Sequence, residues 1–314
     1  MVRIFDVHVH YPGANFGARS ARQAEQTPQE RVDYLAEKLR EAGVVKACFL
    51  VRDRQNNVGV TYKEALKTMG RHHDLFIPVA NLDPGANTGK SIQELHKMGY
   101  RGLKIIGTEK EYDSESYFPV YEKAEELWMP ILFHMGVIGG GVDYARTHPR
   151  RDPEAAQRFR EVMDRLTTPL APGQPEPFPP RRRNSSAIRM RPFHLDTLSG
   201  RFPLLKLIGA HMGGTGNYDE AASVARWRHF VYFDMSGGET IERHAMERGY
   251  IGREIGVEKL VWGSDCGADE IMTHVRRFET IFAMLNLTAD EQERLWWKNG
   301  AEMYGLEKPV LATE

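Results

Sequence analysis

Short runs of β-branched and aromatic residues alternate along this chain with amphipathic stretches, and that rhythm organises the rest of the reading. Strands are predicted near 3–10, 45–51, 75–81, 101–106, 130–135, 204–211, 230–236 and 259–265. Apolar residues at helical spacing fill the intervals near 28–42, 61–71, 88–98, 118–127, 217–228, 239–249 and 270–285. Strands and helices in turn specify a parallel sheet with right-handed crossovers, and eight is the number that closes a barrel. Helix starts agree. Thr27-Pro28-Gln29-Glu30 sets threonine at the cap, proline at the first helical position and glutamate two residues further on, a capping box with a proline start. Thr288-Ala289-Asp290-Glu291 repeats the device before a last helix, whose Leu295, Trp296 and Trp297 are expected to cover the outside of the barrel.

One connection breaks the rhythm. From Met135 to Leu204 the chain runs far beyond an ordinary crossover. Residues 152–166 look helical, and then prolines crowd the stretch from Thr168 to Pro180 before Arg181, Arg182 and Arg183. Prolines this dense deny a regular helix or sheet. The expected architecture is a TIM-type (β/α)8 barrel forming a single domain over 1–314, with 137–200 as a Pro/Arg-rich insertion after strand 5. The insertion leaves the barrel on the face where such folds keep their chemistry, so a lid or a subunit contact is expected of it, against a plain solvated excursion.

Composition narrows the class without naming a function. With 314 residues, 41% hydrophobic and 27% charged, the chain has ample core for a globular domain. A net charge of −1 offers nothing to attract nucleic acid or an anionic membrane, and neither partner is expected. No apolar stretch reaches membrane-spanning length and no signal peptide is visible. The two cysteines, Cys48 and Cys266, form no disulfide framework, so a reducing cytoplasm is the expected location.

Candidate chemistry lies at the strand ends. In Ile4-Phe5-Asp6-Val7-His8-Val9-His10, a period of two puts Asp6, His8 and His10 on one face and Phe5, Val7 and Val9 on the other. Two imidazoles at adjacent rungs suit a divalent cation about 2.0–2.1 Å from each nitrogen, or merely a pair of histidines satisfied by hydrogen bonds. Barrel active sites gather at the C-terminal ends of strands, so the remaining ends decide between the two. Strand 5 ends in His134, strand 6 in His211 followed by Gly213 and Gly214, and strand 8 in Asp265. Glycines after strand 6 would let backbone turn close to a ligand.

At this point the chain resembles the amidohydrolase-related branch of the metal-dependent amidohydrolase superfamily. That branch contains aminocarboxymuconate semialdehyde decarboxylase, resorcylate-type decarboxylases and lactone hydrolases. The matching pieces are Asp6-Val7-His8-Val9-His10, Leu132-Phe133-His134, Ala210-His211-Met212-Gly213-Gly214, Phe233-Asp234-Met235-Ser236-Gly237, Trp262-Gly263-Ser264-Asp265 and Asn299-Gly300-Ala301-Glu302-Met303-Tyr304-Gly305-Leu306. The resemblance implies that His8, His10, His134 and Asp265 hold one divalent ion, Zn²⁺ first with Mn²⁺ or Fe²⁺ also suited. It implies that His211 is the general base or hydrogen-bond partner of the activated water, with Asp265 a second proton acceptor.

The implied activity is hydrolysis of a lactone, amide or ester carbonyl in a small, carboxylated substrate. Non-oxidative decarboxylation of an unsaturated or aromatic acid uses the same ligands. A third reading, a non-catalytic metabolite-binding barrel, would keep the histidines for stability. Arg52, Lys104 and Arg19 are candidates to hold a substrate carboxylate, each against the alternative of a solvated cation. Asp234, ending strand 7, can orient a ligand or serve the barrel alone. Cys266 is expected to pack, and His72, His73, His96, His229, His244 and His274 to be surface or structural. The family often forms dimers, and a homodimer is carried as an expectation.

Overall fold

Every predicted strand is present, and all eight pair in sequence order, each parallel to the next. The computed structural model describes residues 2–12, 26–53, 60–138, 186–237 and 249–307, with 153, 156, 157, 160, 161 and 241. The strands are β1 (Ile4–His10), β2 (Val44–Arg52), β3 (Phe76–Leu82), β4 (Gly102–Ile105), β5 (Ile131–Phe133), β6 (Leu207–Gly209), β7 (Val231–Asp234) and β8 (Leu260–Val261). The residues after β8 close the barrel against β1. Val7 N–H donates to the Trp262 carbonyl at 3.0 Å, and Asp265 N–H to the His8 carbonyl at 2.9 Å. Asp6 Oδ1 adds a side-chain clamp, accepting from Ser264 N–H at 3.0 Å and from His8 N–H at 3.0 Å.

Helices fill the crossovers: α1 (Pro28–Glu41), α2 (Tyr62–Met69), α3 (Gly89–Met98), α4 (Phe118–Glu126), α5 (Phe193–Arg201), α6 (Tyr218–Trp227), α7 (Ile271–Met284), α8 (Ala289–Glu293) and α9 (Asn299–Met303). Both predicted capping boxes form, Thr27 with Glu30 and Thr288 with Glu291. The helix expected over 239–249 falls almost wholly outside the described residues, as does most of the 137–200 stretch. The end of that stretch is ordinary barrel wall. Helix α5 packs on α6 and β6, so it is the crossover helix of the β5–β6 unit rather than part of an excursion.

Two departures matter for the site. Strict alternation in β1 fails, because its register against β2 shifts between Asp6 and Val9. Phe5 and Val7 join the cluster inside the barrel, whereas Ile4 and Val9 join the layer between strands and helices. A local irregularity in the pairing is how a strand re-aims a side chain that a period of two would turn away. The second departure is at the C-terminus. Leu295 and Trp296 lie in the outer layer as expected, but Trp297 belongs to the inner cluster, 6.0 Å from the Phe5 ring beside the start of β1.

Candidate active site

The ends of β1 and β8 bring three donors together. Asp265 adopts left-handed backbone (φ 44°), which aspartate tolerates better than most residues, and its carboxylate turns towards β1. Asp265 Oδ1 lies 3.0 Å from His10 Nε2 and 3.5 Å from His8 Nε2. Nitrogen, nitrogen and oxygen all fall within 4.8 Å of one another. Among the described residues this is the group of side chains assembled as a metal could use them.

Behind them sits a buried carboxylate. Asp234, at the end of β7, receives His8 Nδ1 on Oδ2 at 2.8 Å. Its Oδ1 accepts the His211 N–H at 2.9 Å, the Ser236 N–H at 3.0 Å and the Ser236 hydroxyl at 2.6 Å. Asp234 thus holds the His8 ring from behind, leaving Nε2 to face Asp265. Among the alternatives open for this residue, the geometry selects orientation of His8.

His134 and His211 form a second pair, at the ends of β5 and β6. His134 Nδ1 lies 3.3 Å from His211 Nε2, and its own Nε2 lies 3.3 Å from the Val137 carbonyl. His211 Nδ1 rests 2.9 Å from Ser236 Oγ, and its Nε2 is 3.8 Å from Asp265 Oδ2. Of the four residues expected to hold the ion, then, three meet directly, and His134 stands beside His211 instead of within the close triad. Strained backbone marks this corner: His211 (φ 59°) and Met212 (φ 50°) are both left-handed, a cost that persists where surrounding structure imposes it.

Electrostatics set the protonation of the group. Burial pushes the His8 imidazole down to about 4, with Lys104 adding to the fall and Asp265 and Asp234 opposing it. Burial, then His211 and Lys104, push His134 down to about 2. Burial alone would raise Asp265, but His8, His10 and His211 hold it well below the usual carboxylate range. Near neutrality His8 and His134 are therefore bare imidazoles and Asp265 is an anion. Two imidazole nitrogens and one ionised carboxylate, one imidazole braced by a second carboxylate, are a donor set that fits a divalent cation.

Lys104 is fully buried inside β4, with Nζ 3.3 Å from His8 Nε2. Burial lowers its ammonium to about 8, with Asp234 and Asp265 opposing. Reaching solvent is thereby excluded for it. Arg52, the last residue of β2, is exposed and has Tyr62 and Asp83 as its electrostatic neighbours. Arg19 lies outside the described residues. Cys266 is half-buried and packs against the core, as expected. Among the outlying histidines, His72 pairs with Asp33 at 2.7 Å and His274 is buried in α7.

Sequence reasoning missed Ser236 and the Asp6 clamp. Ser236 lies two residues past a strand end that was itself singled out, and nothing in its own type signals a role. Asp6 was placed on the face of the ligands, whereas its Oδ1 ties β1 to the residues after β8.

The amidohydrolase family model matches residues 5–306. No curated relative is a significant match to the sequence. Among solved structures, the chain is similar to a probable 2-pyrone-4,6-dicarboxylic acid hydrolase of Acinetobacter baumannii with citric acid bound, at 14% identity over 96% of this chain and 99% of that one, TM-score 0.58. It is similar to an uncharacterised TIM-barrel protein of Bordetella bronchiseptica, at 17% identity over 97% and 99%, TM-score 0.56. An amidohydrolase of Mycobacterium avium subsp. paratuberculosis K-10 shares 12% identity over 98% and 99%, TM-score 0.50. At such identities the structural likeness speaks for the barrel, and the family match speaks for descent. Because the family model matches nearly the whole chain, the protein belongs to the amidohydrolase family and is an enzyme of the amidohydrolase superfamily.

Proposed function

We propose that the protein hydrolyses a carbonyl ester or amide, foremost a lactone, in a small carboxylated substrate, and that His8, His10 and Asp265 hold one divalent ion. The observation that carries this is the close triad, with the His8 ring fixed from behind by Asp234. A bound ion, Zn²⁺ first and Mn²⁺ or Fe²⁺ next, would polarise the carbonyl and acidify a water. His211 Nε2, 3.8 Å from Asp265 Oδ2, is placed to take the proton of the attacking water and return it to the leaving oxygen or nitrogen. His134 confines that nitrogen on its other side.

Lys104, buried against His8, offers a cation to a substrate carboxylate or to the developing oxyanion. Arg52 at the end of β2 and Arg19, which follows β1 in the sequence, would hold a second carboxylate. The likeness to a hydrolase whose name specifies a dicarboxylic acid supports a carboxylated lactone.

Metal analysis with a substrate panel tests this. Purified protein should carry close to one divalent ion per chain, and His10→Ala and Asp265→Ala should lose ion and turnover together. His211→Ala should keep the ion and lose about 10²–10⁴-fold in kcat. Release of CO₂ from an unsaturated or aromatic acid, without hydrolysis of any lactone, ester or amide, would replace hydrolysis by decarboxylation on the same residues. A chain that binds no ion and turns over neither class overturns both.

A further inference from the structure

Three polar residues stand in one register row at the ends of β2, β3 and β4. Arg52 pairs with Asn81, and Asn81 pairs with Lys104. The faces of the strands fix which way this row turns. On β2, Cys48 and Leu50 belong to the cluster inside the barrel, whereas Phe49 and Val51 belong to the outer layer. On β3, Ile77 and Val79 are inside, and Ala80 and Leu82 outside. A period of two therefore sets Arg52 and Asn81 on the inner face, one rung beyond Leu50 and Val79. Lys104 is inward too, since its Nζ reaches His8 Nε2 at 3.3 Å. Beneath the row the barrel is apolar. At the row, three neighbouring strands each present a side chain with N–H groups to give.

Asn81, in the middle, has no role in the site described so far. It is half-buried, and among the described residues its side-chain amide has no hydrogen-bond partner. Its backbone is held on both sides by the ladder, and its carbonyl accepts the Tyr62 hydroxyl at 3.0 Å. Asp83, an electrostatic neighbour of Arg52, gives Oδ1 to the Gly85 N–H at 2.9 Å. A fixed amide, partly withdrawn from water and without a partner, carries a cost that a ligand relieves. Its type matters as well. An aspartate between Arg52 and Lys104 would pair with its neighbours and close the row to an anion, whereas a neutral amide leaves the N–H groups on either side for a ligand.

We infer that Asn81 determines specificity, its amide N–H receiving a substrate carboxylate together with the Arg52 guanidinium. Of the two roles open to Lys104, this leaves it the oxygen of the carbonyl under attack, beside His8. The inference deepens the hydrolytic reading and rests on it for the identity of that carbonyl. The place of the carboxylate follows from register and face alone. Neighbouring strands lie about 4.8 Å apart, so the carboxylate sits about one strand width from Lys104. That spacing selects substrates whose carboxylate is a few bonds from the scissile carbonyl, and rejects those with an acid at the far end of a long chain.

Titration calorimetry of the full chain tests this with defined probes. Succinate, glutarate and adipate are dicarboxylates of increasing span, and butyrate offers one carboxylate only. Each is measured on chelated and on zinc-loaded protein. Wild type should bind at least one of the three dicarboxylates about 10-fold or more tighter than butyrate in both forms. Asn81→Ala should weaken that dicarboxylate about 10–100-fold, the worth of a hydrogen bond to a charged group, and Asn81→Asp at least as much by repulsion. The preference among the three lengths should flatten in both variants, which a merely structural asparagine would not cause.

A wild type that holds no dicarboxylate more tightly than butyrate overturns the inference, whichever variant folds. So do variants with the circular dichroism of wild type that keep its affinities. A dicarboxylate preference abolished by Asn81→Ala, in a chain that takes up no metal and turns over nothing, would overturn the hydrolase reading and leave the Asn81 assignment standing.

Discussion

At the scale of single residues, the site depends on groups that never face a substrate. Asp234 offers no donor to the triad, yet it sets the direction of His8 and receives the backbone of His211. Asp234→Asn keeps the shape but replaces one acceptor oxygen by a donor, which conflicts with one of four N–H or O–H partners. We expect affinity for Zn²⁺ to fall about 10–100-fold in this variant, read by competition with a chromophoric chelator. Unchanged affinity would show that His8 is held by packing alone. The residues that touch the site were legible because strand ends are legible: His8, His10, His134, His211 and Asp265 each close a β-branched run. Ser236 and the Asp6 clamp were not. Their partners stand 25 and 258 positions away in the chain, and only the folded barrel decides which loop meets which.

At the scale of elements, the ends of β5 and β6 are locked together by glycine. The sequence suggested that glycines after His211 let backbone approach a ligand; what Gly214 approaches is the neighbouring loop. Its φ is +86°, and a Cβ there would lie 2.6 Å from the Met135 carbonyl carbon and oxygen and from Gly136 N. No backbone atom can yield that far without opening the pair of loops that carry His134 and His211. Gly214→Ala should therefore cost at least the strain of an unfavourable backbone, about 1–3 kcal/mol, and lower Tm by about 2–5 °C. A calorimetric Tm within a degree of wild type would mean that the two loops move freely. Helix α5 shows the opposite limit of legibility. Phe193–Arg201 has no side-chain cap, begins after Pro192 and carries Gly200 near its end, so local signals are weak. Its place is set by packing on β6, where Leu195 and the Phe233 ring both crowd the space that a side chain at Gly209 would take.

At the scale of the molecule, the buried site ties stability to pH, and the sign follows from which state binds more protons. His8 and His134 ionise near 6.5 when unfolded, but burial holds them at about 4 and about 2 in the fold. Below 6.5 the unfolded chain gains two protons that the folded chain refuses, so acid favours unfolding. Asp6 works the other way, since burial raises its carboxyl from 3.8 to about 6 and the folded form is the better proton acceptor there. Two histidines outweigh one aspartate between about 4 and 6, and above about 6 they act unopposed. At about 1.4 kcal/mol per unit of pKa separation, His8 alone accounts for about 3 kcal/mol once the pH reaches 4. Chelated protein should thus lose Tm steadily as the pH falls from 6.5 to about 4.5, with metal release removed as a cause. His134→Gln removes one of the two titrating rings, leaving His8 and Asp6 to cancel over most of that interval. Its Tm should be lower throughout from lost packing, but nearly level with pH. A wild-type Tm that stays level or rises on acidification would mean that these imidazoles accept protons in place, and that the neutral donor set inferred for the site does not exist.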